Sequence, residues 1–245
     1  MRRRWFRGFG LEAAADAPDL ICFPHAGGAA TAYRLLAQLL TPGVRVLGVQ
    51  YPGRQDRRAE PAVESVTGLA DAVADLLPPD PGRPYALFGH SMGAAVAYET
   101  ARRIAERGGP EPERLFLSGR AAPAADPRHS DVLTGDAAIV ARIRRLGGTA
   151  SGVLDDPELL EMVLPALRAD HAALRTYHWK PGPLLEVPFT VLGGDADPMV
   201  TPSEAVQWLE HSGLPGEVKI FKGGHFYLET ELAEVAGLLS AALRR

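Results

Sequence analysis

The fold of this chain is decided by one stretch, Tyr85-Ala86-Leu87-Phe88-Gly89-His90-Ser91-Met92-Gly93, and by the helical run that follows it. Residues 85–88 are apolar and have the length of a buried strand, whereas Met92–Arg107 predicts a helix. Between them, Gly-x-Ser-x-Gly is typical of a sharp strand-to-helix turn, with glycines where neighbouring side chains would collide. Such a turn exposes its serine in a strained conformation, so we predict that Ser91 is a nucleophile.

Short apolar runs alternate with helix-length segments along the rest of the chain, a pattern typical of βαβ units and a parallel sheet. The predicted strands are Leu20–Phe23, Val44–Val49, Tyr85–Phe88, Leu115–Leu117, Val187–Leu192 and Val218–Phe221. The predicted helices between them are Thr31–Leu40, Val66–Leu77, Met92–Arg107, Ser203–Leu209 and Leu232–Leu243. Together with the serine turn, this order predicts an α/β-hydrolase fold: a mostly parallel central sheet with helices on both faces, forming a single domain over residues 1–245.

One connection in the predicted sheet is too long for a simple crossover. About 70 residues separate the strands ending at Leu117 and starting at Val187, whereas a parallel connection needs about a dozen. Helical patterns at Ala137–Leu146 and Pro157–Leu174 fill part of this surplus. Because ligands of α/β sheets bind beyond the carboxyl ends of the strands, we expect residues 121–176, roughly, to form a helical lid over the site.

A serine hydroxyl needs a base, and in this fold the partners follow in the order serine, acid, histidine. His225 follows the last predicted strand in Gly223-Gly224-His225, and Asp197 follows the strand before it. Asp195 competes for the acid role, but directly after a glycine pair we expect it to bond its own turn. We therefore predict Asp197 as the acid that orients His225.

Other histidines have weaker claims to the base role. His90 is predicted to point away from the serine at the turn; structural or solvated positions are expected for the remainder, namely His129, His171, His178 and His211.

Acyl transfer also requires hydrogen-bond donors for the negative charge that develops on the carbonyl oxygen. The backbone amide of Met92, directly after the nucleophile, is the first expected donor. The loop Pro24-His25-Ala26-Gly27-Gly28 follows an early predicted strand, where a second donor is expected, and its glycines allow the backbone to turn its amides inward.

Composition and charge exclude several classes of function. The net charge of −4 arises from 26 basic and 30 acidic residues without a basic stripe, so nucleic acid is an unexpected partner. No apolar stretch approaches the roughly 20 residues that span a bilayer, and no signal-like run follows the basic residues 2–7. We expect a cytoplasmic protein with no membrane association. Cys22, the single cysteine, lies in an apolar run, and we expect neither a metal nor a cofactor.

Taken together, several blocks resemble those of stand-alone type II thioesterases of polyketide and nonribosomal peptide biosynthesis. The more specific blocks are Phe23-Pro24-His25-Ala26-Gly27-Gly28, Gln50-Tyr51-Pro52-Gly53-Arg54 and Gly223-Gly224-His225-Phe226-Tyr227-Leu228; Gly89–Gly93, Ser118-Gly119-Arg120 and Gly194-Asp195-Ala196-Asp197 accompany them. The resemblance implies hydrolysis of acyl groups from the phosphopantetheine arm of acyl or peptidyl carrier proteins, in an editing role. It also implies a triad of Ser91, Asp197 and His225, with an oxyanion hole formed by the amides of Ala26 and Met92.

Three alternatives keep parts of this interpretation. A generic carboxylesterase or lipase would use the same catalytic residues, and only the family-specific blocks argue against it. An acyltransferase or cyclase would replace water with an amine or alcohol; the absence of a fused carrier or synthase domain argues against it. A non-catalytic ligand-binding protein of the same fold would not need an intact serine, aspartate and histidine.

Overall fold

The computed structural model describes residues 2–78, 80–123, 135–147 and 154–243, and of residues 2 and 3 it describes only the backbone. Its strands are β1 (Phe6–Arg7), β2 (Asp19–Phe23), β3 (Arg45–Val49), β4 (Tyr85–His90), β5 (Leu115–Ser118), β6 (Phe189–Gly194) and β7 (Glu217–Phe221). They form one seven-stranded sheet in the order β1-β3-β2-β4-β5-β6-β7. Only β1, which pairs with β3, is antiparallel in this described sheet.

Helices cover both faces of the sheet. They are α1 (Arg2–Trp5), α2 (Arg34–Leu40), α3 (Val66–Ala74), α4 (Met92–Glu106), α5 (Asp136–Leu146), α6 (Pro157–Arg175), α7 (Pro202–Val206) and α8 (Leu232–Leu243). Short 3₁₀ helices occur at Ala30–Tyr33, Gln55–Arg57, Gln207–His211 and Tyr227–Glu229.

Alternation along the strands divides the core into two hydrophobic clusters. Ile21 and Phe23 join a cluster with α3 and α4, whereas Leu20 and Cys22 join one with α2 and α8. Successive strand side chains point to opposite faces, and both faces are covered, so β2 and β4 are buried at every residue. This double burial explains why the strands appear in the sequence as nearly continuous apolar runs.

The predicted α/β-hydrolase fold and mostly parallel sheet are confirmed, with differences at the ends of elements. The predicted helix Thr31–Leu40 is a 3₁₀ helix followed by α2, and Val66–Leu77 is helical only to Ala74. The strand predicted at Val187–Leu192 is shifted to Phe189–Gly194. Strand β1 was not predicted, because two residues are too few to show a period.

Two helices lie at the positions predicted for the lid. Helix α5 agrees with the predicted Ala137–Leu146, and α6 agrees with Pro157–Leu174. The side chains of Asp136 and Arg168 join these two helices through hydrogen bonds of 2.6 and 2.7 Å. Residues 124–134 and 148–153 of the predicted lid, and with them His129, lie outside the described residues. No helix in the described parts of the chain is long and apolar enough to cross a bilayer.

Candidate active site

The serine turn has the geometry that its motif predicts. Strand β4 ends at His90, α4 begins at Met92, and Ser91 between them has a φ of 55°, which places a non-glycine residue in a sparsely populated region. A Cβ atom at Gly93 would collide with the carbonyl oxygen of Phe23, and one at Gly89 would collide with the backbone of Gly93. Both glycines are therefore required for the close backbone crossing that exposes Ser91.

A continuous chain of hydrogen bonds joins the predicted serine, histidine and aspartate. Nε2 of His225 lies 3.0 Å from Oγ of Ser91, and its Nδ1 lies 2.9 Å from Oδ2 of Asp197. The three residues follow β4, β7 and β6, whose carboxyl ends lie at the same edge of the sheet. The imidazole is thus held between a hydroxyl and a carboxylate, with one nitrogen directed at each.

The two aspartates that competed for the acid role make different contacts. The expectation that Asp195 bonds its own turn was wrong. Asp195, expected to bond its own turn, instead accepts a hydrogen bond of 2.8 Å from the amide of Gly223, in the loop that carries His225. Asp197 makes the local turn bond, accepting from the amide of Met199 at 2.8 Å through Oδ1. Its other oxygen remains directed at His225, so Asp197 is the aspartate at the histidine.

The backbone amides predicted to stabilise an oxyanion follow the ends of two neighbouring strands, β2 and β4. Phe23 at the end of β2 pairs with Gly89 of β4, so the loop containing Ala26 and the turn containing Ser91 leave the same edge of the sheet side by side. Within that loop, the carbonyl of His25 accepts a hydrogen bond of 2.9 Å from the amide of Gly28. Met92 is the first residue of α4, where amides have no helical carbonyl to bind.

Two further imidazoles, those of His90 and His25, lie near His225. The ring centroid of His90 lies 5.0 Å from that of His225, and His25 packs edge-on against Phe226 with ring centroids 5.1 Å apart. Burial, followed by the charges of His225 and Arg54, lowers the pKa of His25 from 6.5 to about 4. Burial, followed by the charges of His225 and His25, also lowers the pKa of His90. Both rings are neutral near pH 7, so neither adds a positive charge beside His225.

The remaining described histidines lie away from this cluster. His211 is buried against the rings of Tyr98, Trp179 and Trp208. His171 is buried in α6, and His178 is exposed after that helix.

Ser118 and Tyr227, for which no individual role was predicted, form a hydrogen-bonded chain that holds the ring of His90. Oγ of Ser118 lies 2.9 Å from Nδ1 of His90 and 2.6 Å from the hydroxyl of Tyr227. Burial raises the pKa of Tyr227, so this hydroxyl stays protonated. The backbone of Ser118 also accepts a hydrogen bond of 2.8 Å from the amide of Ser91. The end of β5 therefore supports the serine turn from the neighbouring strand, and the resemblance block at Ser118–Arg120 was the only signal of it.

Asp170 and its partner Arg54 were also missed as a functional pair. Asp170 is fully buried in α6 and forms two hydrogen bonds of 2.7 Å with Arg54. A signal was present, because helical spacing places Asp170 on the apolar stripe of that helix. The stripe consists of Ala166, Leu167, Ala173 and Leu174.

A cavity of about 1220 Å³ is lined in part by Arg54, Gly27 and Gly28. His25, His90 and Phe226 contribute to its wall, together with residues of α2 and α6. The side chains that line it are mostly apolar and include Tyr33, Leu36, Phe88, Met162, Val163, Ala166 and Leu228. Among the described residues, no cluster of three or more histidine, cysteine, aspartate or glutamate side chains is arranged to hold a metal.

Parallel strands that bring a hydrogen-bonded serine, histidine and aspartate to one sheet edge are characteristic of α/β hydrolases, and this chain is one of them. The family model described as Thioesterase domain matches residues 18–243. The chain therefore belongs to the Thioesterase domain family, and the resemblance to type II thioesterases is confirmed.

Curated relatives and solved structures support this family. The probable cadicidin biosynthesis thioesterase of Streptomyces griseus is 45% identical over 240 residues, covering 98% of this chain and 66% of that protein. Thioesterase PikA5 of Streptomyces venezuelae is 45% identical, covering 96% of this chain and 84% of its own length. The structure of the type II thioesterase BorB from the borrelidin biosynthetic cluster superimposes with a TM-score of 0.88 at 46% identity, covering 98% of both chains.

Proposed function

We propose that this protein hydrolyses acyl thioesters on the phosphopantetheine arm of acyl or peptidyl carrier proteins, in an editing role in polyketide or nonribosomal peptide biosynthesis. Ser91 is the proposed nucleophile, His225 the base and Asp197 the residue that orients the base. The observation that carries the proposal is the hydrogen-bond chain from Ser91 through His225 to Asp197. The cytoplasm, where such carrier proteins operate, is the proposed location.

In the first half of the proposed reaction, the acyl group moves from sulfur to Ser91. With Nδ1–H of His225 donated to Asp197, Nε2 accepts the hydroxyl proton as Oγ attacks the thioester carbonyl carbon. The amides of Ala26 and Met92 donate hydrogen bonds to the resulting oxyanion. When the carbon–sulfur bond breaks, His225 returns the proton to the leaving thiolate, and an acyl-serine remains.

The second half releases the acyl group as a carboxylic acid. Water attacks the acyl-serine while Nε2 of His225 takes a proton from it, and a second tetrahedral oxyanion forms at the same two amides. Collapse of this intermediate breaks the bond to Oγ, which regains its proton from His225. Neutral His25 and His90 support this cycle, because a charged neighbour would disfavour the imidazolium that forms twice in it.

The cavity and the relatives support the proposed substrate class. The mostly apolar cavity lined by His25, His90 and Phe226 suits an acyl chain together with the long, flexible pantetheine arm. BorB comes from a borrelidin biosynthetic cluster, and YbtT, 28% identical with a TM-score of 0.85, from a Yersiniabactin NRPS/PKS pathway. Carrier-bound thioesters are the common chemistry of such pathways, which is why we extend it to this chain.

Three arginines of α5, Arg142, Arg144 and Arg145, give only weak support for an acidic carrier-protein partner. Arg144 already pairs with Asp155 at 3.0 Å, and Nη1 of Arg142 lies 3.3 Å from the sulfur of Met199. Arg145 is exposed on the same helix. Exposed charges influence encounter rates more than affinity, so we expect any preference for a carrier protein to depend only modestly on these arginines.

The function is tested by measuring specificity constants for one acyl group carried on a carrier protein, on coenzyme A and in a simple oxygen ester. We expect the order carrier protein, coenzyme A, oxygen ester, because a protein partner adds binding energy remote from the reacting bond. Turnover of the oxygen ester that equals or exceeds that of both thioesters would contradict the proposal and support a carboxylesterase.

Ser91→Ala serves as the variant without a nucleophile in the same panel. It should lose on the order of a millionfold in kcat on every substrate while keeping its far-ultraviolet circular dichroism. Ser203→Ala, at an exposed serine in the first turn of α7, is the matched control and should keep wild-type rates. A Ser91→Ala enzyme with a tenth of wild-type activity would remove Ser91 from the proposal.

A further inference from the structure

A buried ion pair connects the lid to the centre of the site. Nη1 and Nη2 of Arg54 each donate a hydrogen bond of 2.7 Å to the carboxylate of Asp170 in α6. Arg54 follows β3, and the two residues are 116 positions apart in the chain. Their side chains are 6% and 0% exposed, so solvent does not weaken the contact.

The same two side chains also hold the backbone of the loop that contains Ala26. Oδ2 of Asp170 accepts a hydrogen bond of 2.7 Å from the amide of Gly27, and Nη1 of Arg54 donates one of 2.9 Å to the carbonyl of Gly28. The two residues directly after Ala26 are therefore each held by one member of the ion pair, Gly27 by Asp170 and Gly28 by Arg54. Each contact is charge-assisted and stronger than an ordinary backbone hydrogen bond.

This arrangement sets the direction of the Ala26 amide. The amide of Gly28 donates to the carbonyl of His25 at 2.9 Å, and this carbonyl shares a planar trans peptide group with the N–H of Ala26. Because the two groups point in opposite directions, fixing Gly28 also fixes where the Ala26 N–H points. The loop also packs closely against α6, since a Cβ atom at Gly27 would collide with the side chain of Leu167.

We propose that Arg54 and Asp170 are positioning residues that hold the Ala26 amide in place for the oxyanion. The inference rests on the proposed function, because it requires that Ala26 serve as an oxyanion donor. It makes the second half of α6 part of the active site, so that the lid helix must be docked for the Ala26 amide to be in position. A lid helix that only covered the substrate would need contacts with the substrate but none with the loop that contains Ala26.

Stability alone is a weak explanation for this pair. Replacing a buried ion pair by apolar residues of similar volume is often neutral or stabilising, so a fold has little need of one. The lid already has an exposed pair, Asp136 with Arg168, that joins its two helices without contacting the loop. That pair therefore provides a matched control within the same lid.

Two double variants separate the contact with Gly27 from the ion pair itself. Arg54→Met with Asp170→Leu removes both charges and the acceptor for the Gly27 amide. Arg54→Met with Asp170→Asn removes both charges but keeps an acceptor oxygen. Neither leaves an unpaired buried charge, which is the usual cause of misfolding when one partner is removed.

The measurements are kcat and KM for a small acyl thioester, the inhibition constant of an alkylboronic acid, and the midpoint of thermal unfolding. A boronic acid forms a tetrahedral adduct with the serine and places an oxygen where the oxyanion forms, so its affinity reports the oxyanion hole. We expect the Leu-containing variant to lose about 10- to 100-fold in kcat and a similar factor in boronate affinity, with little change in KM. The Asn-containing variant should recover part of both losses, because it restores the acceptor for the Gly27 amide but not the Arg54 donor to the Gly28 carbonyl.

Arg168→Met with Asp136→Leu is the control and should bind the boronate within about twofold of wild type. The inference is overturned if the folded Leu-containing variant keeps wild-type kcat and boronate affinity, if the Asn-containing variant recovers nothing, or if the control loses as much. If neither double variant folds, Arg54→Lys, which keeps the charge but not the two-pronged contact, is held to the same criteria. Failure of wild type to bind the boronate would instead reject the proposed function.

Discussion

The strained backbone of Ser91 is what presents its hydroxyl to the site. Its φ of 55° is unfavourable for a residue with a side chain, and it persists because β4, α4 and the end of β5 fix the chain on both sides. The amide of Ser91 is bound to the carbonyl of Ser118 at 2.8 Å, which removes freedom from the turn. The hydroxyl therefore meets Nε2 of His225 without any further ordering when substrate binds.

The same substitution at the two aspartates, Asp197 and Asp195, should have very different effects on kcat. Asp197→Asn should lower kcat by about ten-thousandfold, because an amide facing Nδ1 of His225 favours the wrong imidazole tautomer. Asp195→Asn should cost far less, because asparagine keeps an oxygen that accepts from the amide of Gly223. Steady-state kinetics of both variants on one acyl thioester would measure the difference. A larger loss for Asp195→Asn would show that the carboxylate near His225 is not the one that orients it.

At the scale of elements, α6 consists of two unlike halves. Its start is capped by the side chain of Asp156, and near this end Met162 is 66% exposed despite being apolar. Its later turns are buried and include Asp170, bound to Arg54. Pro165 lies between the halves, and a proline inside a helix removes a backbone hydrogen bond. We infer that the first half opens more readily than the second.

Hydrogen exchange should resolve this difference within a single helix. We expect amides of α5 and of residues 157–164 to exchange much faster than those of β4, since few buried contacts oppose their opening. Amides of residues 166–174 should exchange nearly as slowly as β4. Protection of α5 equal to that of β4 would contradict a lid that opens.

For the whole molecule, the neutral histidines of the site make stability depend on pH. The pKa of His25 is about 4 in the folded chain, against 6.5 ordinarily, so between these values the unfolded chain binds a proton that the folded chain does not. The stability from neutral His25 is present above pH 6.5 and is lost as pH falls toward 4. His90, whose pKa is also lowered, acts in the same direction.

His25→Gln should therefore flatten the dependence of the unfolding free energy on pH. Urea unfolding at several values between pH 7 and 4.5 would measure the slope, which should decrease by up to about one proton relative to wild type. His178→Gln, at an exposed histidine after α6, is the control and should keep the wild-type slope. Equal slopes for His25→Gln and wild type would show that His25 is not kept neutral by its surroundings.

Much of the fold and of the site could be predicted from the sequence, because the relevant forces act over a few residues. A strand covered on both faces must be apolar throughout, as in β2 and β4, and a backbone crossing at Ser91 must have glycines on either side. His225 and Asp197 follow the ends of strands, and parallel strands end at one edge. Strand β1 was missed because its pairing with β3, not its own two residues, makes it a strand.

By itself, the sequence determined the class of fold, the serine turn and the group of residues that meet there, since each depends on local sterics or strand order. Only the tertiary structure decided that His90 packs on His225 and that Asp170 of the lid binds Arg54 and the loop of Ala26. A buried carboxylate is tolerable only beside a specific partner. That partner lies 116 residues away, so the docking of α6 on the sheet edge, rather than any local pattern, brings the two together.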